Sequence, residues 1–377
     1  MADWHGRVGL SKGWKPPKKV TECDAEARPG YNSCKAHEYV EDPAVLLSKV
    51  RVLAESIRKA QKCIAYTGAG ISTASGIGDY ASKAGIGKTL QKKKLLSPWD
   101  AQPTLSHRIL VELYKGGFLH YWVQQNHDGL PEKAGMPCEM INSIHGDWYD
   151  PSNPVVPMNG SLRDDLFANL LEWENKADLV LALGTSLCGM NADRLVETAN
   201  TSKRAMGAVI VSLQKTVHDS SCFLRIFAKL DDVFHLLAQE MLLEVPKALP
   251  YAPNVIRSSR FGGVDDIFEI PYDEKSGKLL SKRELTERGL TLLDLRRGAK
   301  LYITNGPFKN DTAVVTGKNR EGHYKLRVSH PLKKGGALVP VVKVLGSWFT
   351  ESLTRGRLDA SPVISWYNKR TDDARLE

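Results

Sequence analysis

The sequence lacks the features of two broad classes of protein. Its six cysteines are scattered over 377 residues with no Cys-x-x-Cys pair, which argues against a disulfide framework and against a cysteine-based zinc cluster. No apolar run approaches the roughly 18 residues that span a bilayer. The first residues also lack the apolar core of a signal peptide. The sequence therefore predicts an intracellular protein with no membrane partner and no metal.

Charge is spread unevenly along the chain. The hydrophobic share of 42% and the charged share of 25% are ordinary for a globular protein of about two domains. The formal net charge is +9, and residues 246–377 hold all of that excess, with 24 Lys and Arg against 15 Asp and Glu. A basic module beside a neutral one indicates an acidic partner, such as nucleic acid or an acidic protein. A solvated basic surface with no partner is the alternative.

Composition and periodicity divide the chain into four parts. Residues 1–41 are rich in Gly, Pro and charge and are predicted to form an extended arm. Residues 42–245 are predicted to be the main α/β domain. Residues 246–296 are predicted to be a linker and a partly ordered connection, since Pro246, Pro250 and Pro253 stiffen their start. Residues 297–377 are predicted to be a basic β module with a tail.

The 42–245 domain has the pattern of a doubly wound parallel sheet. Asp42-Pro43 is a typical helix start, and apolar residues recur at helical spacing to about Ala60. A closing helix is predicted over 233–243. Apolar runs separated by segments long enough for crossover helices indicate parallel strands. The predicted strands are Cys63–Tyr66, Leu119–Gln124, Leu179–Leu183 and Ala208–Leu213.

The tail has short β-type runs between Gly- and Asn-rich turns, which is typical of a small antiparallel barrel. The segment 297–317 resembles a KOW-like or other SH3-like barrel. The predicted strands are Lys300–Thr304, Thr312–Thr316, His323–Val328 and Val341–Leu345.

A glycine-rich segment follows the first predicted strand. Gly68 and Gly70 allow a tight turn and the close approach of backbone amides to a phosphate, and Ser72 or Thr73 is predicted to begin a helix. A strand-to-helix turn with no ligand is the alternative. The whole string Tyr66–Ile77 resembles the signature loop of sirtuins. That resemblance implies a Rossmann-like sheet and NAD as the cofactor.

Two further motifs extend the resemblance. Gln125–Asp128 looks like the family's Gln-Asn-x-Asp motif, and Ile144-His145-Gly146 looks like its His-Gly. The resemblance implies that Asn126 orients the nicotinamide ribose and that Asp128 holds the nicotinamide amide. It also implies that His145 is the general base, a role that suits an unperturbed histidine pKa of about 6.5.

The nucleotide site is completed by two later segments. Leu183–Leu187 resembles the family's Gly-Thr-Ser loop, and Ile210–Thr216 resembles its Ile-Val-Asn-Leu-Gln segment at the adenosine ribose, with Ser212 in place of the asparagine. A serine hydroxyl can still hydrogen-bond a ribose. The cofactor residues implied by the resemblance are Gly68, Ala69, Gly70, Ser72, Thr73, Asp79, Tyr80, Gln125, Asn126, Asp128, Gly184, Thr185, Ser186, Ser212, Gln214 and Leu230.

The sequence departs from the family at two places. The loop Gly76–Ala81 has lost the usual proline and arginine, although Tyr80 keeps an aromatic ring. Residues 147–154 replace the four-cysteine zinc ribbon, so no zinc is expected. The spacing elsewhere is closest to class IV, the nuclear sirtuins. The resemblance therefore leaves the compartment as nuclear or cytoplasmic.

The resemblance implies an NAD-dependent protein-lysine deacylase that acts on an acylated protein. Without the zinc lobe, two alternatives stay open. The same site would hydrolyse NAD or transfer ADP-ribose, or the chain would be a non-catalytic NAD-sensing scaffold that its basic module tethers.

Overall fold

The structure is a computed structural model that describes residues 2–28, 31–79, 82–86, 88, 98–157, 159–247, 265–331 and 338–366. The chain divides into two compact units. Unit 1 comprises Met1–Met136, Met140–His145 and Leu162–Pro250, and unit 2 comprises Pro137–Glu139, Gly146–Ser161 and Tyr251–Glu377. The chain thus leaves unit 1 directly after His145 and returns at Leu162.

Unit 1 alternates helices and strands. Its helices are α1 (Ala2–His5), α2 (Pro43–Lys59), α3 (Leu105–Lys115), α4 (Leu130–Lys133), α5 (Asp164–Lys176), α6 (Arg194–Thr201) and α7 (Leu230–Met241). Its strands are β1 (Lys18–Thr21), β2 (Glu26–Arg28), β3 (Tyr31–Lys35), β4 (Glu38–Val40), β5 (Cys63–Thr67), β6 (Tyr121–Gln124), β7 (Ile141–Ser143), β8 (Leu179–Leu183), β9 (Gly207–Val211) and β10 (Leu224–Ile226).

A six-stranded parallel sheet forms the centre of unit 1, in the order β10-β9-β8-β5-β6-β7. Every residue of β5, β6, β8 and β9 is buried, as expected for strands covered on both faces. The predicted α/β fold with a doubly wound parallel sheet is therefore confirmed. The two edge strands β7 and β10 were not predicted, because each has only three residues.

The segment 1–41, which the sequence predicts to be an extended arm, contains short elements that pack within unit 1. β1 pairs with β4, and β2 pairs with β3. The rings of Trp4, Tyr39 and Phe227 lie within 5.8 Å of one another, centroid to centroid. Tyr39 N donates to Leu213 O at 2.8 Å. Packing of Trp4 and Tyr39 on the buried ring of Phe227 contributes to the order of this Gly- and Pro-rich segment, and isolated rings carry no periodic signal.

A buried ion pair joins this segment to α2. Lys49 is fully buried, and its Nζ donates to Glu41 at 2.5 Å, to Arg225 O at 2.6 Å and to Trp4 O at 3.1 Å. Burial lowers the pKa of Lys49 to about 8, although Glu41 acts in the opposite direction. An apolar side chain in place of Lys49 would leave these three acceptors without their donor.

Replacing Lys49 with methionine should destabilise unit 1 by about 3–5 kcal/mol, because the change leaves Glu41 buried without its counter-charge. Urea denaturation measures the loss. The matched change Lys59→Met, at an exposed position of the same helix, should cost less than about 0.5 kcal/mol. Adding Glu41→Gln to Lys49→Met should recover part of the loss. A loss below about 1 kcal/mol for Lys49→Met would contradict this account.

Unit 2 consists mainly of antiparallel strands. Its elements are β11 (Ile267–Ile270), α8 (Lys282–Arg288), β12 (Thr291–Asp294), β13 (Lys300–Ile303), β14 (Thr312–Lys318), β15 (Tyr324–Pro331), β16 (Leu338–Leu345), α9 (Trp348–Thr354) and β17 (Val363–Ser365). Five strands form one sheet in the order β16-β15-β14-β13-β17. Each predicted tail strand overlaps one of its strands. Closure into an SH3-like barrel stays a prediction.

The segment after His145 packs against this sheet within unit 2. The Tyr149 ring lies 4.9 Å from the rings of both His323 and Trp348, and Gly346 N donates to Tyr149 O at 2.8 Å. Residues 146–161 therefore share a core with the tail, whereas the sequence places them inside the 42–245 domain. A local reading of the sequence missed this because the partners lie about 170 or more residues further along the chain.

Among the described residues, no helix combines the length and apolarity needed to cross a membrane. The six cysteines are free thiols, and Cys23 alone among them is not buried.

Candidate active site

Five parallel strands of unit 1 end at the same level. The register aligns their last residues, which are Ser143, Gln124, Thr67, Leu183 and Val211. Each predicted motif begins within two residues of one of these positions. The carboxyl ends of parallel strands are where open α/β sheets bind ligands, so the fold gathers motifs that are far apart in sequence.

The glycines of two loops allow those loops to touch. A Cβ on Gly70 would lie 2.7 Å from Gly184 Cα, and a Cβ on Gly68 would lie 2.9 Å from Thr185 Cα. Gly70 N donates to Gly184 O at 2.8 Å. The sequence assigned these glycines to phosphate approach, and the structure adds loop-to-loop packing as a second reason for them.

The prediction of a helix that begins at Ser72 or Thr73 is wrong. Two short 3-10 turns, Ala69–Ile71 and Thr73–Ser75, follow β5 instead. Gly76, in the left-handed region at φ 84°, ends the second turn. This part of the site therefore offers individual backbone amides and hydroxyls to a ligand, and it lacks the dipole of a long helix.

Ser72 links the two residues predicted to hold the nicotinamide end. Asn126 Nδ2 donates to Gly68 O and to Ser72 Oγ, each at 3.1 Å. Ser72 Oγ donates to Asp128 Oδ2 at 2.6 Å, and Leu130 N donates to Oδ1 of the same carboxylate at 3.1 Å. Asp128 is 2% exposed. The two side chains are therefore held in fixed positions.

Burial raises the pKa of Asp128 above its usual range, and the hydrogen bonds from Ser72 and Leu130 offset part of that effect. A buried carboxylate with a raised pKa and a defined set of donors is typical of functional sites.

A cavity of about 240 Å³ lies at this edge of the sheet. Hydroxyls, backbone groups and both signs of charge surround it. The predicted cofactor residues that line it are Gly70, Thr73, Asp79, Gly184, Thr185, Ser186, Ser212, Gln214 and Leu230. Gln125 Nε2 donates to Thr185 Oγ1 at 2.9 Å, which connects the Gln125–Asp128 segment to this wall.

The other predicted residues are placed as follows. Gly68, Ala69 and Ser72 belong to the glycine-rich segment beside the cavity, and Ser72 carries the bonds to Asn126 and Asp128 described above. Tyr80 lies outside the described residues. His145 is half-buried in a turn two residues beyond β7, at the same edge of the sheet as Asn126.

The Ser212 hydroxyl already takes part in a network. It donates to Gln214 O at 2.8 Å and accepts from Arg225 Nη2 at 3.1 Å. Arg225 is fully buried and also pairs with Asp219 at 2.7 Å. The hydroxyl therefore shapes the 212–214 backbone, and what it still offers a ribose is its remaining acceptor capacity.

Several cavity residues were not predicted. Glu38, Ser82, Lys215, Lys229 and Asp231 also line it. Lys215 belongs to the quoted Ile210–Thr216 segment, so its position was within reach of the motif. Glu38 could not be recognised from the sequence, because its segment, 1–41, is predicted to be an extended arm.

Within the described ranges, no group of three or more His, Cys, Asp or Glu side chains is arranged to hold a metal ion. The expected absence of zinc stays a prediction.

No protein-family model matches the chain. The chain is 32% identical over 275 residues to the bovine NAD-dependent protein deacetylase sirtuin-7, and the match covers 60% of this chain and 69% of that protein. It is 31% identical over 256 residues to the Arabidopsis thaliana NAD-dependent protein deacetylase SRT1, covering 54% and 52%. A solved Sir2 enzyme aligns with 52% of this chain and 98% of its own at 21% identity, with a TM-score of 0.44.

The sequence relatives decide the assignment. Identity above 30% extends over more than two thirds of the bovine protein, and similar values hold for the rat and human sirtuin-7 proteins. Placement in class IV stays a prediction. The chain belongs to the sirtuin family.

Proposed function

We propose that this protein is an NAD-dependent protein-lysine deacylase whose catalytic part is unit 1. The observation that carries the proposal is the Asn126–Ser72–Asp128 network, in which Ser72 and Asp128 are buried, beside a cavity at the carboxyl edge of the sheet that Thr73, Thr185 and Ser186 help to line. The relatives with which the chain shares its family are named NAD-dependent protein deacetylases, which supports an acylated protein as the partner.

The residues around the cavity fit the phosphates of a dinucleotide. Thr185 and Ser186 line it, and hydroxyls with backbone amides are suitable donors for phosphates. Thr73 also lines it, and its hydroxyl donates to Gly70 O at 3.0 Å. A side chain on Gly70 or Gly184 would fill the space between the two loops. When bound, NAD supplies a ribose carbon from which nicotinamide can leave.

Asn126 and Asp128 would hold the nicotinamide end. A carboxylate beside the leaving amide fixes the ring and favours positive charge at the ribose carbon. Asn126 has an oxygen that no described protein donor bonds, while its Nδ2 is held by Gly68 and Ser72. The network therefore holds the amide oxygen and the carboxylate in fixed orientations, with little reorganisation needed during the reaction.

His145 would act after nicotinamide leaves. The acyl oxygen of the substrate would bond to the ribose carbon as the bond to nicotinamide breaks. His145 would then take the proton of a ribose hydroxyl so that this hydroxyl oxygen bonds to the acyl carbon, and the lysine amine would leave as water adds to that carbon. The position of His145 directly beyond β7 supports this role, because it is at the same strand ends as Asn126.

A second candidate activity rests on residues 146–161. In this chain the segment after His145 belongs to unit 2 and packs with Tyr149 against His323 and Trp348. A site without the family's zinc lobe would hydrolyse NAD or pass ADP-ribose to another acceptor.

Nicotinamide release with and without an acetyl-lysine peptide separates these candidates. The deacylase proposal expects release that depends on the peptide. Release that is equal without peptide would support the hydrolase or transferase. NAD binding without release in either mixture would leave the non-catalytic sensor.

We further propose that unit 2 binds an acidic partner, with single-stranded nucleic acid as the first candidate. A cavity of about 920 Å³ there is lined by Lys275, Lys278 and Lys309 together with Tyr302 and Trp366, and by one acidic residue, Glu274. Lysines neutralise phosphates, and aromatic rings stack on bases.

The double change Lys275→Glu/Lys309→Glu should weaken binding to an oligothymidine by about tenfold or more, because it reverses two contacts that release counter-ions. Fluorescence anisotropy at several salt concentrations measures the affinity. The control Lys203→Glu/Lys282→Glu makes the same change in net charge at exposed positions outside this cavity. Equal losses for the two variants, or binding indifferent to salt, would contradict the proposal.

A further inference from the structure

Glu38 brings a carboxylate from the N-terminal segment to the candidate NAD cavity. It begins β4, is 1% exposed to solvent, and lines the cavity together with Gln214 and Lys215. The bond from Tyr39 N to Leu213 O holds β4 beside the chain that follows β9. The family resemblance assigns this part of the chain to the adenosine ribose, so Glu38 lies at the adenosine end.

Donors from two other segments hold the carboxylate. Thr21 Oγ1 donates to Glu38 Oε2 at 3.0 Å, and Ile86 N donates to the same oxygen at 2.8 Å. A side chain on Gly85, at φ 77°, would collide with Thr21 and with the Glu38 carboxylate. The Glu38 side chain is therefore held in a fixed orientation in the cavity wall and does not rotate freely.

Glu38 is negatively charged, whereas two lysines bring positive charge to the same cavity. Lys215 and Lys229 also line the cavity, and Lys215 Nζ lies 3.6 Å from the centre of the Trp4 ring. Two lysines alone would favour an additional phosphate at this end. A fixed carboxylate does the opposite, because it accepts a hydrogen bond from a ribose hydroxyl and repels a phosphate on the same oxygen.

We propose that Glu38 is a specificity-determining residue that makes the site select NAD over NADP. The inference rests on the proposed use of NAD, and it assigns to the N-terminal segment a part of the cofactor site that the family motifs do not contain.

Calorimetric titration of the full chain with NAD, NADP and ADP-ribose tests the inference without any turnover. In Glu38→Gln the amide oxygen can still accept from Thr21 and Ile86, while the amide NH2 replaces the second carboxylate oxygen and can donate to a ribose hydroxyl, so the negative charge is lost and a polar contact is kept. We expect NAD affinity to stay within about threefold and the NAD-to-NADP affinity ratio to fall by about tenfold or more. Glu22→Gln is the matched control, since Glu22 is an exposed glutamate, 71% accessible, in the same segment.

The outcomes separate this inference from the proposed function. An unchanged affinity ratio in Glu38→Gln, with NAD still bound, would overturn the inference alone. Failure of the wild-type protein to bind either NAD or ADP-ribose would overturn the proposed function and this inference together. An equal fall in the ratio for Glu22→Gln would attribute the effect to net charge and would also overturn the inference. A thermal melt of each variant identifies any loss caused by unfolding.

Discussion

Replacing His145 with alanine is expected to lower the formation of acylated ADP-ribose by about a hundredfold to ten-thousandfold, the usual contribution of a general base. The loss should fall on acyl migration, because His145 is proposed to act after nicotinamide has left. Exchange of labelled nicotinamide into NAD in the presence of an acetyl-lysine peptide should therefore persist. Mass spectrometry of the product and the exchange assay measure the two steps separately.

His235→Ala provides the control for this variant. His235 is an exposed histidine on α7 of the same unit, and its removal should leave both steps within about twofold of the wild type, as for most surface changes. Equal activity of His145→Ala and the wild type in product formation would contradict the assignment of the base.

Replacing Asp128 with asparagine is expected to slow nicotinamide release by about a hundredfold to a thousandfold, the usual cost of removing one electrostatic contact at a site of developing charge. The side chains have nearly the same shape, so the cavity should keep its form. Steady-state release with saturating peptide measures the effect. Asp232→Asn, at an exposed position of α7, is the matched control and should be unaffected.

The same variant should be more stable than the wild type at pH 7. Burial raises the pKa of Asp128, so the folded protein binds this proton more tightly than the unfolded chain. Stability therefore falls as the pH rises from the ordinary aspartate value through the raised one. Asparagine removes that cost. The melting temperature of Asp128→Asn should exceed that of the wild type at pH 7, and the gap should narrow below about pH 4, where both states are protonated.

A variant that loses activity and gains stability is the expected signature of a functional residue held at a cost to the fold. A lower melting temperature for Asp128→Asn at pH 7 would instead indicate that the carboxylate serves mainly to hold Ser72 and Leu130 in place.

Much of unit 1 could be predicted because buried parallel strands give an unambiguous pattern. The Leu179–Leu183 strand is found with its predicted bounds, and Cys63–Tyr66 differs by a single residue at its end. Both runs are mainly apolar; Gly184 follows the Leu179–Leu183 run directly, and Gly68 follows the Cys63–Tyr66 run after Thr67. The three-residue strands Ile141–Ser143 and Leu224–Ile226 were missed, since neither is long enough to show a period.

What could not be predicted depends on contacts that are distant in sequence. Glu38 is brought to the cavity by contacts of β4 that include the backbone bond from Tyr39 N to Leu213 O. The segment 146–161 joins unit 2 through the packing of Tyr149 on His323 and Trp348. Neither contact has a local motif. The same limit applies to the helix expected at Ser72, where tertiary packing of Gly70 on Gly184 holds the chain in short turns.

This site is proposed to couple nicotinamide release to the removal of an acyl group from lysine. The most direct test incubates the purified protein with NAD and an acetyl-lysine peptide, and counts nicotinamide, deacetylated peptide and acetylated ADP-ribose by mass spectrometry. The account predicts that the three products form in equal amounts and that none forms without the peptide. Nicotinamide and free ADP-ribose accumulating at the same rate without peptide, with no acetylated product, would contradict it.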